Sequence, residues 1–530
     1  QEEMSRYHGY WWSPDGKQLL IQRTDNTDVE RLWIADSKRP ERAPSSAPYP
    51  RAGTRNAHVE LHLFDLAAPE GTSARAVDWD RGRYPYLASV RWKYTKAPTL
   101  VVQNRRQTES VILSWAPDTG TISTLHTEAD NAWVNLDQSV PRWLPDGKHF
   151  LWSTERNGDW QLEKRAADGS LVNTVTDVDL GYRELVHIDA KAGTAVIRMQ
   201  PNPLEMHLAR VPLAGGKAEQ ITTAVGGHSA TFGDRGVWAH THVAEDGTST
   251  VRLKSATGEA KGTLTSLAPR PPRIPVVEYT TVKTADRQLQ AALIRPSNYE
   301  DGRKYPVVVY VYGGPHYQVV TRNRMRYWVQ QWIADHGFVV VMLDGRGTPG
   351  KGRMWERSIK NDVITGPLKD QVDGLQALGV RYPELDMERV GLYGWSFGGY
   401  FSAMAVLRRP DVYKAGFSGA PVTDWRDYDT HYTERYMGLP AENKAGYDST
   451  SAVVNAGKLT VPLTIAHGTV DDNVYFIHAL KLSNALFEAR RDHVFLPLSG
   501  YTHMVRGKKA TLALFDRIAG WFVQHLGQPE

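Results

Sequence analysis

The chain contains no cysteine. That excludes a thiol nucleophile, a thiolate metal site and a disulfide framework, and it is neutral about compartment. No apolar run reaches the roughly 18 residues that a membrane-spanning helix needs, so no membrane span is expected. Basic residues form no block of about five or six like charges. With a net charge of only +4 over 530 residues, the sequence offers no footprint for nucleic acid. The N-terminal Gln1-Glu2-Glu3-Met4 has neither a basic region nor an apolar one, so no signal peptide is visible; either none existed or it was removed.

What is present is a folded, two-domain composition. Apolar residues make up 41% and charged residues 23%, the balance of a globular protein. The length exceeds the roughly 250–300 residues at which a single core stops growing, so two domains are expected. Eleven of the 17 tryptophans fall before residue 276, which suggests that the two differ in kind.

The first half reads as short strands separated by turns, without 3.6-residue periodicity. Trp12-Ser13-Pro14-Asp15-Gly16-Lys17 and Trp143-Leu144-Pro145-Asp146-Gly147-Lys148 nearly repeat. Each places a Pro-Asp-Gly turn between two apolar runs, which is a hairpin unit. Their separation of 131 residues equals about three units of roughly 44, the blade length of a β-propeller. Weaker hairpin echoes lie at 90–103 and 195–213. A β-sandwich, with its own regular turns, is the alternative.

The proline-dense Pro269 to Pro275 can continue neither helix nor central strand, so the boundary is placed there: 1–275 β-rich, 276–530 α/β. Beyond it, apolar strands are expected at 305–312, 337–343, 389–394, 414–418, 461–467 and 493–498, alternating with helices that are clearest at 473–489 and 509–526. That alternation signals a mostly parallel sheet.

The strongest local signal is Gly394-Trp395-Ser396-Phe397-Gly398-Gly399, a G-x-S-x-G elbow between an apolar strand and a helical run at 400–407. A turn this sharp crowds the backbone on both sides of the serine, so glycines are needed at its flanks. A serine nucleophile needs a base and an orienting carboxylate, which in this fold order follow as acid and then histidine. Asp471 and Asp472 lie just past strand 461–467, and His503 just past strand 493–498, where sites of open sheets collect. The triad read here is Ser396, His503 and Asp471. Asp472 is the rival acid, although it fits equally as an N-cap for the next helix. His478, His493 and His525 read as structural.

Two other patterns carry no chemistry. Gly345 to Gly350 matches G-x-G-x-x-G but contains Pro349 and precedes no clear helix, so it reads as a loop. His58, Glu60 and His62, like His240 and His242, alternate along strands and read as strand faces rather than metal ligands. No metal or other cofactor is expected.

These motifs resemble the dipeptidyl peptidase IV branch, bacterial type, of the prolyl oligopeptidase family of serine peptidases. The likeness runs through essentially the whole chain. It is carried by the Gly394 to Tyr400 motif, by Tyr432-Thr433-Glu434-Arg435-Tyr436-Met437-Gly438 and by His467-Gly468-Thr469-Val470-Asp471-Asp472-Asn473-Val474. In the first domain Glu2-Glu3 and Trp11 to Gly16 resemble the family's double-glutamate segment and the strand after it. The resemblance implies an eight-bladed β-propeller capping an α/β-hydrolase domain, and release of Xaa-Pro or Xaa-Ala dipeptides from peptides with a free N-terminus. It implies Asp471 rather than Asp472 as the acid, and an oxyanion site made by Tyr312 and the Phe397 N–H. It further implies a proline pocket of Val422, Trp425, Tyr428, Tyr432 and Val474, with Asn473 on the substrate's second-residue carbonyl and Glu2 and Glu3 on its amine. A homodimer and a periplasmic or secreted location follow from the same resemblance.

Two departures stand out. Phe397 replaces a tyrosine common in the family, which leaves the backbone donor intact. Residues 1–275 supply about six blades at roughly 44 residues each, so the chain is expected to begin within the propeller, and whether an absent propeller segment stays associated is left open. An arginine that the family places beside the glutamates has no assignable counterpart. Rival readings are an acylaminoacyl peptidase, a prolyl oligopeptidase, or a propeller interaction protein with an inactive hydrolase.

Overall fold

The computed structural model describes residues 2–69, 74–233, 236–269 and 271–529. Up to Leu264 each four-stranded blade is built from antiparallel neighbours, most of them consecutive in the chain, as short runs joined by tight turns dictate. The first blade comprises strands Tyr10–Trp12, Gln18–Asp25, His58–Asp65 and Arg75–Val77. The second runs from Tyr86 to Ala129 and the third from Arg142 to Thr174. The fourth and fifth, from Tyr182 to Gln220 and from Gly226 to Leu264, touch through one parallel pair, Met206 and Gly227. In both Pro-Asp-Gly repeats the glycine adopts positive φ and its N–H closes the turn at 3.0 Å, onto Ser13 in one case and Leu144 in the other.

The described residues thus hold five four-stranded blades and not six. The reason lies in the first blade. Asp25 and His58 are direct cross-strand partners, yet residues 26–57 run between them as an excursion with its own hairpin, Arg31–Ile34 paired with Ser45–Pro48. Those residues lengthen the chain without adding a blade. The two Pro-Asp-Gly repeats, in the first and third blades, are therefore two units apart and not three.

From Val277 the chain builds one eight-stranded sheet. Strands Val277–Lys283 and Gln288–Ile294, which the sequence pattern did not reveal, form an antiparallel edge. Val339–Asp344 pairs antiparallel with the second of these and parallel with Tyr305–Tyr310. The remainder follow in parallel: Leu385–Trp395, Ala415–Gly419, Leu463–Gly468 and Val494–Leu498. This is the α/β-hydrolase sheet. Because side chains alternate along a strand, Val307 and Val309 enter one core, with helices Thr365–Arg381, Phe397–Arg408 and Ile477–Glu488. Val308 enters the other, beneath helices Trp328–Ala334 and Lys508–Leu526.

Charged pairs lock the blades to the hydrolase. Arg357 reaches Asp130 at 2.9 Å and Glu155 at 2.6 Å, and Arg105 grips Glu434 with two bonds of 2.8 and 2.7 Å. Breaking such a buried pair from one side costs about 3–5 kcal/mol, since the surviving charge is left uncompensated. Among the described residues no helix is long and apolar enough to cross a membrane, and no group of three or more His, Cys, Asp or Glu is placed to hold a metal.

Candidate active site

Strand Leu385–Trp395 and helix Phe397–Arg408 leave only Ser396 to make the turn between them. Its φ of 60° and ψ of −118° are strained for a residue with a Cβ, at a cost of order 1–3 kcal/mol that the surroundings must supply. They do so from both sides. The Ser396 N–H donates to Gly419 O at 2.8 Å, and the Tyr400 N–H to Ser396 O at 2.9 Å. A Cβ on Gly394 or Gly398 would run into the carbonyl of Val311, closer than real Cβ atoms come. The flanking glycines are thus required by close backbone approach, and Ser396 stands at a helix N-terminus, where developing negative charge is favoured.

The loops after the last two parallel strands bring the acid and histidine together. His503 Nδ1 lies 2.8 Å from Asp471 Oδ2. Asp471 is buried, which alone would raise its pKa, but hydrogen bonds from His467 and His503 prevail and hold it down at about 2. It is therefore ionised and can only accept, so the shared proton sits on His503 Nδ1 and leaves Nε2 free to take one. Asp471 Oδ1 accepts the N–H groups of Asn473 and Val474 at 3.0 and 2.9 Å. Among the described residues no hydrogen bond joins Ser396 Oγ to His503; such bonds often tighten only when substrate binds.

Asp472 takes no part. It is exposed, and it does not cap the next helix, which starts at Ile477 after Phe476 rather than at 473. The chain turns through residues 472–476 first, with Asp471 already tying down the N–H groups of Asn473 and Val474.

The aromatic residues cluster against Phe397, next to Ser396. Phe397 and Trp425 lie 5.5 Å apart by ring centroid, Trp425 and Tyr432 stack at 6.0 Å, and Tyr428 stands edge-on to Tyr432 at 5.5 Å. Val422 and Val474 are buried in the same core. Tyr428 donates its hydroxyl to Asn473 Oδ1 at 2.6 Å, which leaves the Asn473 amide N–H groups to donate elsewhere. Tyr312 packs 5.7 Å from Phe397. Burial first, then the neighbouring Tyr317 and Glu3, push its phenol up to about 12, so it remains a donor.

Glu3 belongs to the short helical turn Glu2–Met4. Met4 anchors that turn: it is buried in the blade core, and its carbonyl accepts from Gln138 at 2.6 Å. The Glu3 charge acts on Tyr312, Tyr428 and Tyr432. It also helps, after burial, to raise Asp429 to about 8. A cavity of about 310 Å³ opens beside it, lined by Trp133, Trp160, His316 and Tyr436. The Glu2 side chain lies outside the described residues.

Two contributors escaped the sequence reading. His467 Nε2 lies 2.7 Å from Val474 O and 3.2 Å from Asp471 Oδ2. A carbonyl only accepts, so that nitrogen carries the proton and steadies the carboxylate too. Trp395 Nε1 donates to the His503 carbonyl at 2.7 Å. His467 could have been suspected from its spacing of four before Asp471; nothing local marks Trp395.

The architecture is that of an α/β-hydrolase with propeller blades packed against it. Comparison with known proteins narrows this. Residues 323–529 match the prolyl oligopeptidase family and residues 1–243 the dipeptidyl peptidase IV N-terminal region. Human dipeptidyl peptidase 8 is 28% identical over 93% of this chain and 65% of its own length. A putative dipeptidyl aminopeptidase of Schizosaccharomyces pombe is 28% identical over the whole chain and 70% of its own length. The crystal structure of Porphyromonas gingivalis dipeptidyl peptidase 4 superposes with a TM-score of 0.91 at 25% identity, covering 99% of this chain and 75% of that one. The hydrolase part is therefore similar to the prolyl oligopeptidase family and the blade part to its dipeptidyl peptidase IV-like branch. The chain spans just under two thirds of the human relative's length.

Proposed function

We propose that the protein is a serine exopeptidase that releases N-terminal Xaa-Pro or Xaa-Ala dipeptides through an acyl-enzyme. The observation that carries this reading is the Glu3 carboxylate, which the blade-anchored turn Glu2–Met4 presents to a cavity shared with His316 and Tyr436 of the hydrolase. An anionic group lining this cavity suits a substrate whose ammonium group lies a fixed short distance from its scissile bond.

In this mechanism Ser396 Oγ attacks the scissile carbonyl as its proton passes to His503 Nε2. The Tyr312 hydroxyl and the Phe397 N–H receive the oxyanion. Collapse expels the amine of the shortened peptide, which takes the proton from His503. Water, deprotonated by the same nitrogen, then hydrolyses the ester, frees the dipeptide and restores Ser396. Asp471 keeps the imidazole in the required tautomer. Val422, Trp425, Tyr428, Tyr432 and Val474 enclose a flat pyrrolidine ring or a methyl group, Asn473 donates to a substrate carbonyl, and Glu2 and Glu3 pair with the ammonium. The cavity beside Glu3 accommodates the first side chain.

The domain boundary is proposed between residues 275 and 276, in the proline-dense stretch after the last blade strand ends at Leu264 and before Val277. A homodimer and a periplasmic or secreted location rest on family resemblance alone. The deciding assay is hydrolysis of Gly-Pro-anilide beside its N-acetylated form. Cleavage of the free amine with the blocked form inert supports the proposal. Cleavage of the blocked form favours an acylaminoacyl peptidase or oligopeptidase, and no cleavage with no fluorophosphonate labelling favours an inactive interaction protein.

A further inference from the structure

The excursion 26–57 leaves the first blade between two residues that already pair with one another, so it contributes nothing the blade needs. Besides bonds with the second blade at Asn56 and Thr54, it makes a run of contacts on the hydrolase. Residues 50–52 run antiparallel to 428–430, with the backbone of Arg51 opposite that of Asp429: Ala52 N–H donates to Tyr428 O and Thr430 N–H to Pro50 O, both at 2.9 Å. Tyr49 packs edge-on against Tyr475 at 4.7 Å, and Thr430 donates its hydroxyl to Asn56 at 2.5 Å.

Arg51 is the centre of this seam. Its guanidinium forks onto Glu30 at 2.9 and 2.7 Å and sends its remaining arm to Asp427 Oδ1 at 2.7 Å. Asp427 Oδ2 accepts from Lys481, on helix Ile477–Glu488, at 2.6 Å. Despite burial, these cations hold the carboxyl of Asp427 below its ordinary range. The turn Trp425–Asp427 joins two members of the aromatic cluster, Trp425 and Tyr428. A planar fork fixes a carboxylate in direction as well as distance, so Arg51 fixes where that turn sits.

We propose that Arg51 is a positioning residue for the specificity pocket: acting through Asp427, it lets the blade excursion set the separation of Trp425 and Tyr428, and hence the discrimination between proline and smaller or larger second residues. This rests on the dipeptidase reading of the same site. It assigns pocket selectivity in part to a side chain of the first domain that touches no substrate.

The test is steady-state kinetics of Arg51→Gln, Arg51→Lys, Asp427→Asn and the Arg51→Gln/Asp427→Asn double variant on Gly-Pro-anilide and Gly-Ala-anilide, beside the rate of fluorophosphonate labelling of Ser396. Arg51→Gln is expected to raise KM for Gly-Pro-anilide about five- to ten-fold, with kcat changed less, and to shrink the proline-to-alanine ratio of kcat/KM. Arg51→Lys keeps the charge and loses the fork, so it should fall between. The double variant should be scarcely worse than Asp427→Asn, as expected of residues acting through one another. Labelling should proceed at the wild-type rate in all four. An unchanged proline-to-alanine ratio in Arg51→Gln overturns the proposal, as does labelling that falls in step with hydrolysis, which would mean general damage. Wild-type protein that labels but cleaves neither anilide would sink the dipeptidase reading itself, an outcome distinct from either.

Discussion

The indole N–H of Trp395 donates to the main-chain carbonyl of His503 at 2.7 Å, so the residue immediately before the proposed nucleophile holds the loop that presents the proposed base. Trp395→Phe keeps the ring and removes the donor. The lost bond contributes about 0.5–1.5 kcal/mol to stability, but misplacing a base can cost about a hundred-fold in rate. We expect kcat on Gly-Pro-anilide to fall ten-fold or more (about 1.4 kcal/mol per decade), with KM nearly constant and the melting temperature little changed. A wild-type kcat would show that the loop stands without this bond.

Ser396→Ala should lower kcat by several orders of magnitude and abolish fluorophosphonate labelling while the protein stays folded, because triad members act as a unit. Asp471→Asn, which leaves the imidazole in the wrong tautomer, should lose roughly four orders. Asp472→Asn, at an exposed position with no site contact, should stay within a few-fold of wild type. The opposite ranking of the two aspartates would mean that the acid is misassigned.

The depressed pKa of Asp471 has a sign that can be checked. A carboxyl held at about 2 when folded, against about 3.9 unfolded, stabilises the fold fully above the unfolded value and loses that contribution as pH falls through the folded one. Asp471→Asn should therefore flatten the stability change between about pH 4 and pH 2. Acid-unfolding curves with the same slope as wild type would contradict the hydrogen-bond assignment.

Tyr312→Phe removes one proposed oxyanion donor while keeping the ring against Phe397. The expected loss is about 10²- to 10³-fold in kcat with little change in KM. With the phenol raised to about 12, wild-type activity should show no loss from its ionisation below about pH 10. An effect confined to KM would place Tyr312 in substrate binding and not in oxyanion stabilisation.

Pocket and amine recognition separate by readout. Tyr428→Ala opens the proposed pocket and deprives Asn473 of its 2.6 Å partner, so the proline-to-leucine ratio of kcat/KM should narrow. If it holds, the ring is bound elsewhere. Glu3→Gln should reduce kcat/KM for Gly-Pro-anilide ten-fold or more, since charge-assisted hydrogen bonds contribute roughly 1.5–3 kcal/mol. Fluorophosphonate labelling should persist, as that reagent has no amine to anchor. Equal loss in both assays would indicate misfolding, and loss in neither would return Glu3 to an ordinary solvated acid.

The sequence alone determined whatever depends on neighbours a few residues apart. Glycines flanking Ser396, apolar runs ending just before Asp471 and before His503, and Pro-Asp-Gly between paired runs all encode local backbone geometry, and each appears in the fold where its pattern put it. The roles proposed for the pocket aromatics come only through the family motif, because a tyrosine at 428 or 432 packs a core as readily as a substrate. Tertiary structure decided the rest. The blade count went astray because residues 26–57 read as more blade when they are an excursion onto the other domain, and Asp472 read as a cap because the demand of Asp471 on the N–H groups of Asn473 and Val474 is invisible in composition. Trp395 beneath His503, His467 beside Asp471 and Arg51 behind Trp425 owe their positions to strand order and domain docking. The reason is physical: turn and strand preferences act over a few bonds, whereas a hydrogen bond between residues 108 or 376 positions apart exists only once two cores have formed and fixed the distance between them.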